Sequence, residues 1–130
     1  MPEPDDLIGT WQLASFHDTD PTGTPTPGPL GAEPAGFLTY TASGHLSVAM
    51  MRTAPGEPAF MGYAGTWRID DGVLRHRILV CSRTDWVGEE QVRIAELTDG
   101  LLTIRTTPDN GRIVQWRRAE ATQEKHAIRR

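Results

Sequence analysis

The sequence has few of the features that would cross-link the chain or anchor it in a membrane. Cys81 is the only cysteine, which excludes an intramolecular disulfide and fits a reducing compartment. No apolar run approaches the length that crosses a bilayer, and no apolar stretch typical of a secretory signal follows Met1. We therefore expect a cytoplasmic protein that does not interact with membranes.

The common motifs of cofactor, metal and nucleophile chemistry are also missing. The sequence contains neither a glycine-rich phosphate loop nor a nucleophile elbow. The four histidines lie far apart along the chain, without the spacing of metal ligands: His17, His45, His76 and His126. We expect neither a metal nor a cofactor.

The charge distribution argues against a nucleic-acid partner. Acidic residues outnumber basic ones by 17 to 13, giving a net charge of −4. From Arg117 onwards five basic residues and two acidic ones give +3, so the rest of the chain carries −7. A body this acidic repels phosphate backbones.

The chain of 130 residues is long enough for one domain with its own core. Helical periodicity is hard to find, whereas short alternating stretches bounded by Gly, Pro, Asp and Asn recur. We predict a disordered lead over residues 1–6, a barrel over 7–118 and a C-terminal tail over 119–130. The predicted strands lie near 8–17, 35–41, 44–52, 62–70, 73–82, 90–97, 101–106 and 112–118.

The connections between these strands alternate between long and short. The long links fall near 18–36, 53–61, 83–90 and 107–111, and the tight turns near 41–44, 70–72 and 98–100. In an up-and-down arrangement all long links share one end and all tight turns the other. This pattern predicts an all-β fold, an eight-stranded antiparallel up-and-down β-barrel. A two-sheet sandwich is the alternative, but the tight turns pair neighbouring strands directly.

Four segments together resemble a known family. They are LIGTWQLASF, AGFLTYTASGHLSVAMMR, YAGTWRID, and DWVGEEQVRIAEL with the late VQWRR. Their order and spacing over roughly residues 7–118 resemble the bacterial lipocalin-like domains, small relatives of the eight-stranded lipocalin fold. The resemblance implies a small-molecule-binding barrel with a Gly-x-Trp motif at its closed base, where Trp11 meets Arg117 or Arg118. Gly9 would admit a close approach there.

Alternation along the strands indicates which side chains face the interior. With Arg75 and Arg77 in water, we predict that His76, Ile78, Val80 and Ser82 face inward and that Cys81 faces outward. With Arg68 and Asp70 outside, the inward residues are Tyr63, Gly65, Trp67 and Ile69. In the first strand they are Trp11, Leu13, Ser15 and His17.

Strand alternation does not determine the facing of two positions. Tyr40 should lie across a tight turn from His45, but the face that they share is undetermined. In EQVRIAEL, either Val92 and Ile94 face inward or Arg93 does. The resemblance to the lipocalin-like domains favours an inward Arg93.

Each polar candidate also has an ordinary structural interpretation. His76 could be a buried neutral imidazole that is simply hydrogen-bonded. An inward Arg93 needs an anionic or carbonyl partner, which could be Glu89, Glu96 or a ligand. Trp86, at the tip of a mouth loop, has little structural reason to be exposed.

We therefore expect a barrel that binds a largely apolar small molecule, as a monomer or homodimer. The first hypothesis is a cofactor-independent cyclase or isomerase of small-molecule (secondary metabolite) biosynthesis, with His76 and Arg93 as catalytic residues. The alternatives are a non-catalytic carrier or sensor and a module that grips a partner chain. The predicted ligand-binding residues are Ser15, His17, Tyr40, Tyr63, Trp67 and Trp86.

Overall fold

The computed structural model describes residues 2–106 and 111–120. The short helix α1 spans Pro4–Leu7, and a single 3₁₀ turn spans Thr84–Trp86. The strands are β1 Gly9–Thr19, β2 Pro25–Pro27, β3 Ala35–Tyr40, β4 His45–Met51, β5 Phe60–Asp70, β6 Val73–Cys81, β7 Glu90–Thr98, β8 Leu101–Arg105 and β9 Ile113–Arg118. No helix in residues 2–106 or 111–120 is long and apolar enough to cross a membrane.

Eight of these strands form a closed barrel, which confirms the predicted fold. β1 pairs with β3, each later strand pairs antiparallel with the next, and β9 returns to pair with β1. The remaining strand, β2, lies in the first long loop and pairs with residues 17–19 of β1. Its sequence, Pro-Thr-Pro, carries no strand signal, so β2 is not among the predicted strands.

The tight turns lie at one end of the barrel, which we call the base, and the long loops lie at the other, the mouth. At the base, Asp71 and Gly72 have φ values of 56° and 78°, and Asp99 and Gly100 have 53° and 78°. Two successive positive φ values are typical of the type I′ turn that suits two-residue hairpins. At the mouth, the Arg52 side chain donates to the Pro29 carbonyl at 3.0 Å, so the first two long loops touch.

The base is closed by the N-terminal segment and by the first and last strands of the barrel. The Trp11 side chain is fully buried, and its Nε1 donates to the Leu7 carbonyl at 2.9 Å. The Arg118 guanidinium lies over the indole, which confirms the predicted contact of Trp11 with a late arginine. Gly9 has a φ of +132°, and a Cβ there would lie 2.5 Å from Arg118 Nη1. The positive φ favours glycine, and a Cβ would also displace the Arg118 guanidinium.

The N-terminal lead differs from its prediction. Residues 4–6 belong to α1 rather than to a disordered segment, because Leu7 at the end of the helix is fully buried in the core. Of the predicted tail 119–130, residues 121–130 lie outside the described part of the chain.

A β-bulge in β1 reverses the predicted facing of its second half. Leu13 pairs with Trp116 and Ser15 pairs with Gln115, so Ala14 is an extra residue. An extra residue sends every later side chain to the opposite face. Phe16 therefore faces the interior and is 4 % exposed. The prediction that Ser15 and His17 face inward is wrong.

A second bulge, at Leu79 in β6, has the same effect near the mouth. Gly65 pairs with Ile78 and Ala64 pairs with Val80, which leaves Leu79 without an opposite residue. The predicted inward facing of Val80 is wrong, since its side chain is 61 % exposed, and Ser82 is exposed as well. Cys81, predicted to face outward, lies directly across from the inward-facing Tyr63.

Candidate functional site

The barrel encloses a cavity of about 80 Å³ in its mouth half. Most of its wall is apolar and comes from the inner faces of six strands. These apolar residues are Phe16, Leu38, Val48, Met50, Met61, Ile104, Val114 and Trp116. Such a wall favours the hydrocarbon part of a ligand over water.

One side of the cavity is polar, and it is built by three neighbouring strands. β5 contributes Tyr63, β6 contributes His76, and β7 contributes Gln91 and Arg93. His76 pairs directly with Gln91 across β6 and β7, so their side chains share the inner face. The alternation that sends Arg75 and Arg77 away from the interior is what turns His76 towards it.

His76 is the centre of this polar wall and is 3 % exposed. Its Nε2 lies 2.7 Å from the Tyr40 hydroxyl, and its Nδ1 lies 2.8 Å from the Tyr63 hydroxyl. Both ring nitrogens are thus hydrogen-bonded to phenols that come from two other strands. Buried polar groups are normally satisfied in this way.

Burial sets the protonation of all three rings. Desolvation, with a smaller contribution from the charge of Arg93, lowers the pKa of His76 from 6.5 to about 3. Desolvation also raises the pKa of Tyr40 and of Tyr63. At neutral pH the cluster therefore holds a neutral imidazole between two neutral phenols.

Arg93 faces the interior, as the resemblance implied. Its Nη1 donates to the Val92 carbonyl at 3.0 Å. Within residues 2–106 and 111–120, no carboxylate lies within ion-pair distance of its guanidinium. Glu96, one of the two predicted partners, pairs instead with Arg105 at 3.3 Å. Desolvation is the main reason that the pKa of Arg93 is lowered, and nearby Arg112 lowers it further.

The opening of the cavity combines apolar and charged side chains. Trp86 in the 3₁₀ turn lines it, with the Arg83 Cζ 4.5 Å from the centroid of the indole. Arg112 also lines it but is neutralised by Asp18, whose Oδ1 lies 2.9 Å from Arg112 Nε.

The eight predicted site residues divide into three groups. His76, Arg93, Tyr63 and Trp86 line the cavity together. Tyr40 and Trp67 are buried nearer the base, where Tyr40 contacts His76 and Trp67 Nε1 donates to the Thr41 carbonyl at 3.1 Å. Ser15 and His17 lie on the outer face of β1 because of the bulge at Ala14, and Ser15 Oγ donates to Gln115 there.

The predicted pairing of Tyr40 with His45 is wrong. The turn closes between Thr41 and His45, whose backbone groups hydrogen-bond at 2.9 Å. Tyr40 therefore lies across from Leu46 and faces the interior, and His45 is exposed.

Sequence reasoning missed several cavity residues. Gln91 could have been found, since it lies two residues before Arg93 and so shares its face of the strand. Trp116 could have been found because Arg117, next to it, faces water. Phe16 could not, because its facing depends on the bulge. Arg112 follows a loop and carries no periodic signal. Within the described residues, no three His, Cys, Asp or Glu side chains are grouped as metal ligands.

Comparisons with known proteins find a matching family model and similar solved structures. A family model described as a lipocalin-like domain matches residues 8–59 and 57–126. The crystal structure of a lipoprotein YedD from Klebsiella pneumoniae subsp. pneumoniae MGH 78578 aligns with a TM-score of 0.50 at 12 % identity, covering 94 % of this chain and 79 % of that chain. The structure of the wild-type fluorescent protein UnaG aligns with a TM-score of 0.42 at 17 % identity, covering 88 % of this chain and 98 % of that one. No curated protein sequence matches the chain significantly. At this identity, the likeness to the lipoprotein bears on the fold alone.

Proposed function

Because the chain belongs to the family of lipocalin-like domains, we propose that its barrel binds a largely apolar small molecule in the interior cavity. One observation carries this proposal: a polar wall of Tyr63, His76 and Arg93 faces a cavity that is otherwise mainly apolar. Binding sites for small molecules typically combine an apolar lining with a few convergent polar groups that fix the orientation of the ligand.

The size of the cavity limits how a ligand can enter. Its volume of about 80 Å³ is well below the roughly 300–1,000 Å³ of pockets that hold drug-sized molecules. A ligand of that size would extend into the mouth or displace the side chains there. Met61 and Trp86 line the opening, and an unbranched methionine adapts easily to a new shape.

As the first candidate function, we propose an enzyme that catalyses a cofactor-independent cyclisation or isomerisation in small-molecule (secondary metabolite) biosynthesis. Both reaction types are redox-neutral and use a single substrate. The cavity would hold a flexible substrate in its reactive conformation, and Arg93 would polarise a carbonyl oxygen. His76 would take part by relaying a proton to one substrate atom through the Tyr63 hydroxyl and recovering a proton from another substrate atom by the same route, since both of its ring nitrogens are hydrogen-bonded.

A non-catalytic carrier or sensor is the second candidate, and the state of His76 favours it. A histidine with a pKa of about 3 is far from the value that suits proton transfer near neutral pH. In a carrier, Tyr63 and Arg93 would only orient the ligand.

Native mass spectrometry of the freshly purified protein tests the proposal that both candidates share, the binding of a small molecule. We expect a complex with a small molecule that denaturation releases. The released compound is then added back to ligand-free protein and followed by chromatography. Conversion to an isomer supports the enzyme, and unchanged recovery supports the carrier. A protein that binds no apolar small molecule would contradict both and favour a module that grips a partner chain.

The variant His76→Gln separates the two candidates further. Glutamine keeps hydrogen-bonding capacity but does not titrate, so an enzyme that relays protons through His76 should lose about 100-fold in turnover. A carrier should change only modestly in affinity. His45→Gln is the matched control, since His45 is exposed at the base.

A further inference from the structure

The two tyrosines that hold His76 are not equivalent. Tyr40 is 1 % exposed, and within the described residues its hydroxyl has His76 Nε2 as its only hydrogen-bond partner. Tyr63 is partly exposed, and it lines the cavity. The direction of the hydrogen bonds follows from this difference.

A neutral imidazole has one N–H donor and one bare nitrogen acceptor. If Nε2 carried the proton, it would donate to the Tyr40 oxygen, and the Tyr40 proton would be buried without an acceptor. A buried donor left without an acceptor carries the full desolvation penalty of its N–H or O–H group. If Nδ1 carries the proton, Tyr40 donates to Nε2 and His76 Nδ1–H donates to the Tyr63 oxygen. Every proton in the cluster then has an acceptor except that of Tyr63.

The Tyr63 hydroxyl is therefore left with a proton to donate at the cavity. Arg93 lines the same wall, and its guanidinium can only donate. The other arginine at the cavity, Arg112, already pairs with Asp18. Tyr63 and Arg93 thus offer a hydrogen-bond donor and a positive charge without a carboxylate partner among the described residues.

We propose that the cavity is selective for an apolar molecule that carries an anionic oxygen, such as a carboxylate or an enolate. The selectivity comes from Arg93 and from the hydrogen-bond chain in which Tyr40 donates to His76 and His76 donates to Tyr63. The inference rests on the proposed function, because it specifies the ligand of the same cavity. Hydrogen bonds from a guanidinium to an anionic oxygen are about twice as strong as those between neutral groups.

Three probes that share one hydrocarbon body test this selectivity by calorimetry on the full chain: octanoate, octan-1-ol and octylamine. We expect octanoate to bind at least about tenfold more tightly than octan-1-ol, because a hydrogen bond to a charged group is stronger than one between neutral groups. Octylamine, whose ammonium only donates, should bind most weakly. Equal or tighter binding of the alcohol or the amine would overturn the inference while leaving the proposed function intact. Binding of none of the probes would contradict both.

Arg93→Met should lower the affinity for octanoate much more than the affinity for octan-1-ol, and so remove the preference. Arg105→Met is the matched control: it removes the same charge, from an arginine that pairs with Glu96 instead of lining the cavity, and should keep the preference. An Arg93→Met protein that still prefers octanoate would overturn the role of Arg93.

The donor–acceptor direction of this hydrogen-bond chain is measured on the wild-type protein, so the measurement does not depend on whether a variant folds. Two-bond ¹H–¹⁵N correlation spectra distinguish a protonated ring nitrogen from a bare one. We expect a protonated Nδ1 and a bare Nε2 at His76. A protonated Nε2 would show that Tyr63 donates to the imidazole, which would overturn the proposed donor.

Discussion

Arg118 covers the indole of Trp11, with its Cζ 4.1 Å from the ring centroid, and donates to the Ile8 carbonyl at 2.6 Å. The contact joins the start of β1 to the end of β9 and lies beside Gly9. One arginine therefore connects the closing seam of the barrel with the N-terminal segment beneath it.

Trp11→Ala should lower the free energy of unfolding by about 3–5 kcal/mol, because it leaves a large cavity in a closed base. Arg118→Met should cost about 1–2 kcal/mol through the lost cation–π contact and the lost hydrogen bonds. Urea unfolding measures both, with Arg117→Met as the control: Arg117 is exposed, so its replacement should cost less than about 0.5 kcal/mol. A loss below about 1 kcal/mol for Trp11→Ala would contradict the burial of the indole.

Stability should fall between pH 7 and pH 5 because of His76. Its pKa is about 3 in the folded protein and 6.5 in the unfolded chain, so below pH 6.5 the unfolded state binds one more proton. The free energy of unfolding then decreases as the pH falls, with a slope that approaches about 1.4 kcal/mol per pH unit. The groups that face the ring do not titrate in this window, since Tyr40 and Tyr63 have raised pKa values and Arg93 stays charged.

His76→Gln is the control for this pH dependence. The lowered pKa values of Asp20, Asp85 and Glu90 act in the same direction, but only near their ordinary values of 3.8 and 4.5. Urea unfolding of His76→Gln should therefore give a flatter profile above pH 5. Identical profiles for the variant and the wild type would show that His76 is not buried in its neutral form.

Gly65→Ala should be among the most damaging small substitutions. A Cβ at this position would collide with the Arg77 backbone carbonyl beside the bulge at Leu79. A collision with backbone cannot be relieved by a side-chain rotation, so we expect a loss of at least about 3 kcal/mol in urea unfolding. At Gly72, where φ is +78° and nothing lies within 4 Å, alanine should cost only about 1–2 kcal/mol. Equal losses at the two glycines would contradict the collision.

Arg52→Met should loosen the mouth without unfolding the barrel. The Arg52 guanidinium donates to the carbonyls of Pro29, Glu57 and Pro58 at 3.0, 3.1 and 2.9 Å, and so ties the first two mouth loops together. Amide hydrogen exchange should become faster in residues 28–34 and 53–59, and slow exchange in the strands should persist. Arg83→Met, in a different mouth loop, is the control and should leave both segments unchanged. Unchanged exchange in Arg52→Met would mean that other contacts hold the loops.

Local residue patterns predict the barrel, its eight strands and its closed base. Alternating apolar and polar residues specify strands, and Asp71-Gly72 and Asp99-Gly100 specify tight hairpins because both residues of such turns need a positive φ. The position of His76 followed from its charged neighbours, since no bulge lies between it and Arg75 or Arg77. These features depend on local chemistry, which the sequence carries directly.

Which residues line the mouth end of the cavity depends on how the strands pair in the folded barrel. An extra residue at Ala14 or Leu79 is recognised only from the pairing of a strand with its neighbour, and it reverses the facing of everything that follows. For this reason Phe16 lines the cavity, whereas Ser15 and His17 do not. The contact of His76 with Tyr40 is likewise non-local, because it joins β6 to β3 across the barrel interior. Side chains alternate between the two faces only within a strand that has no bulge. Beyond a bulge, the face that a side chain occupies follows from how the strands pair in the closed barrel.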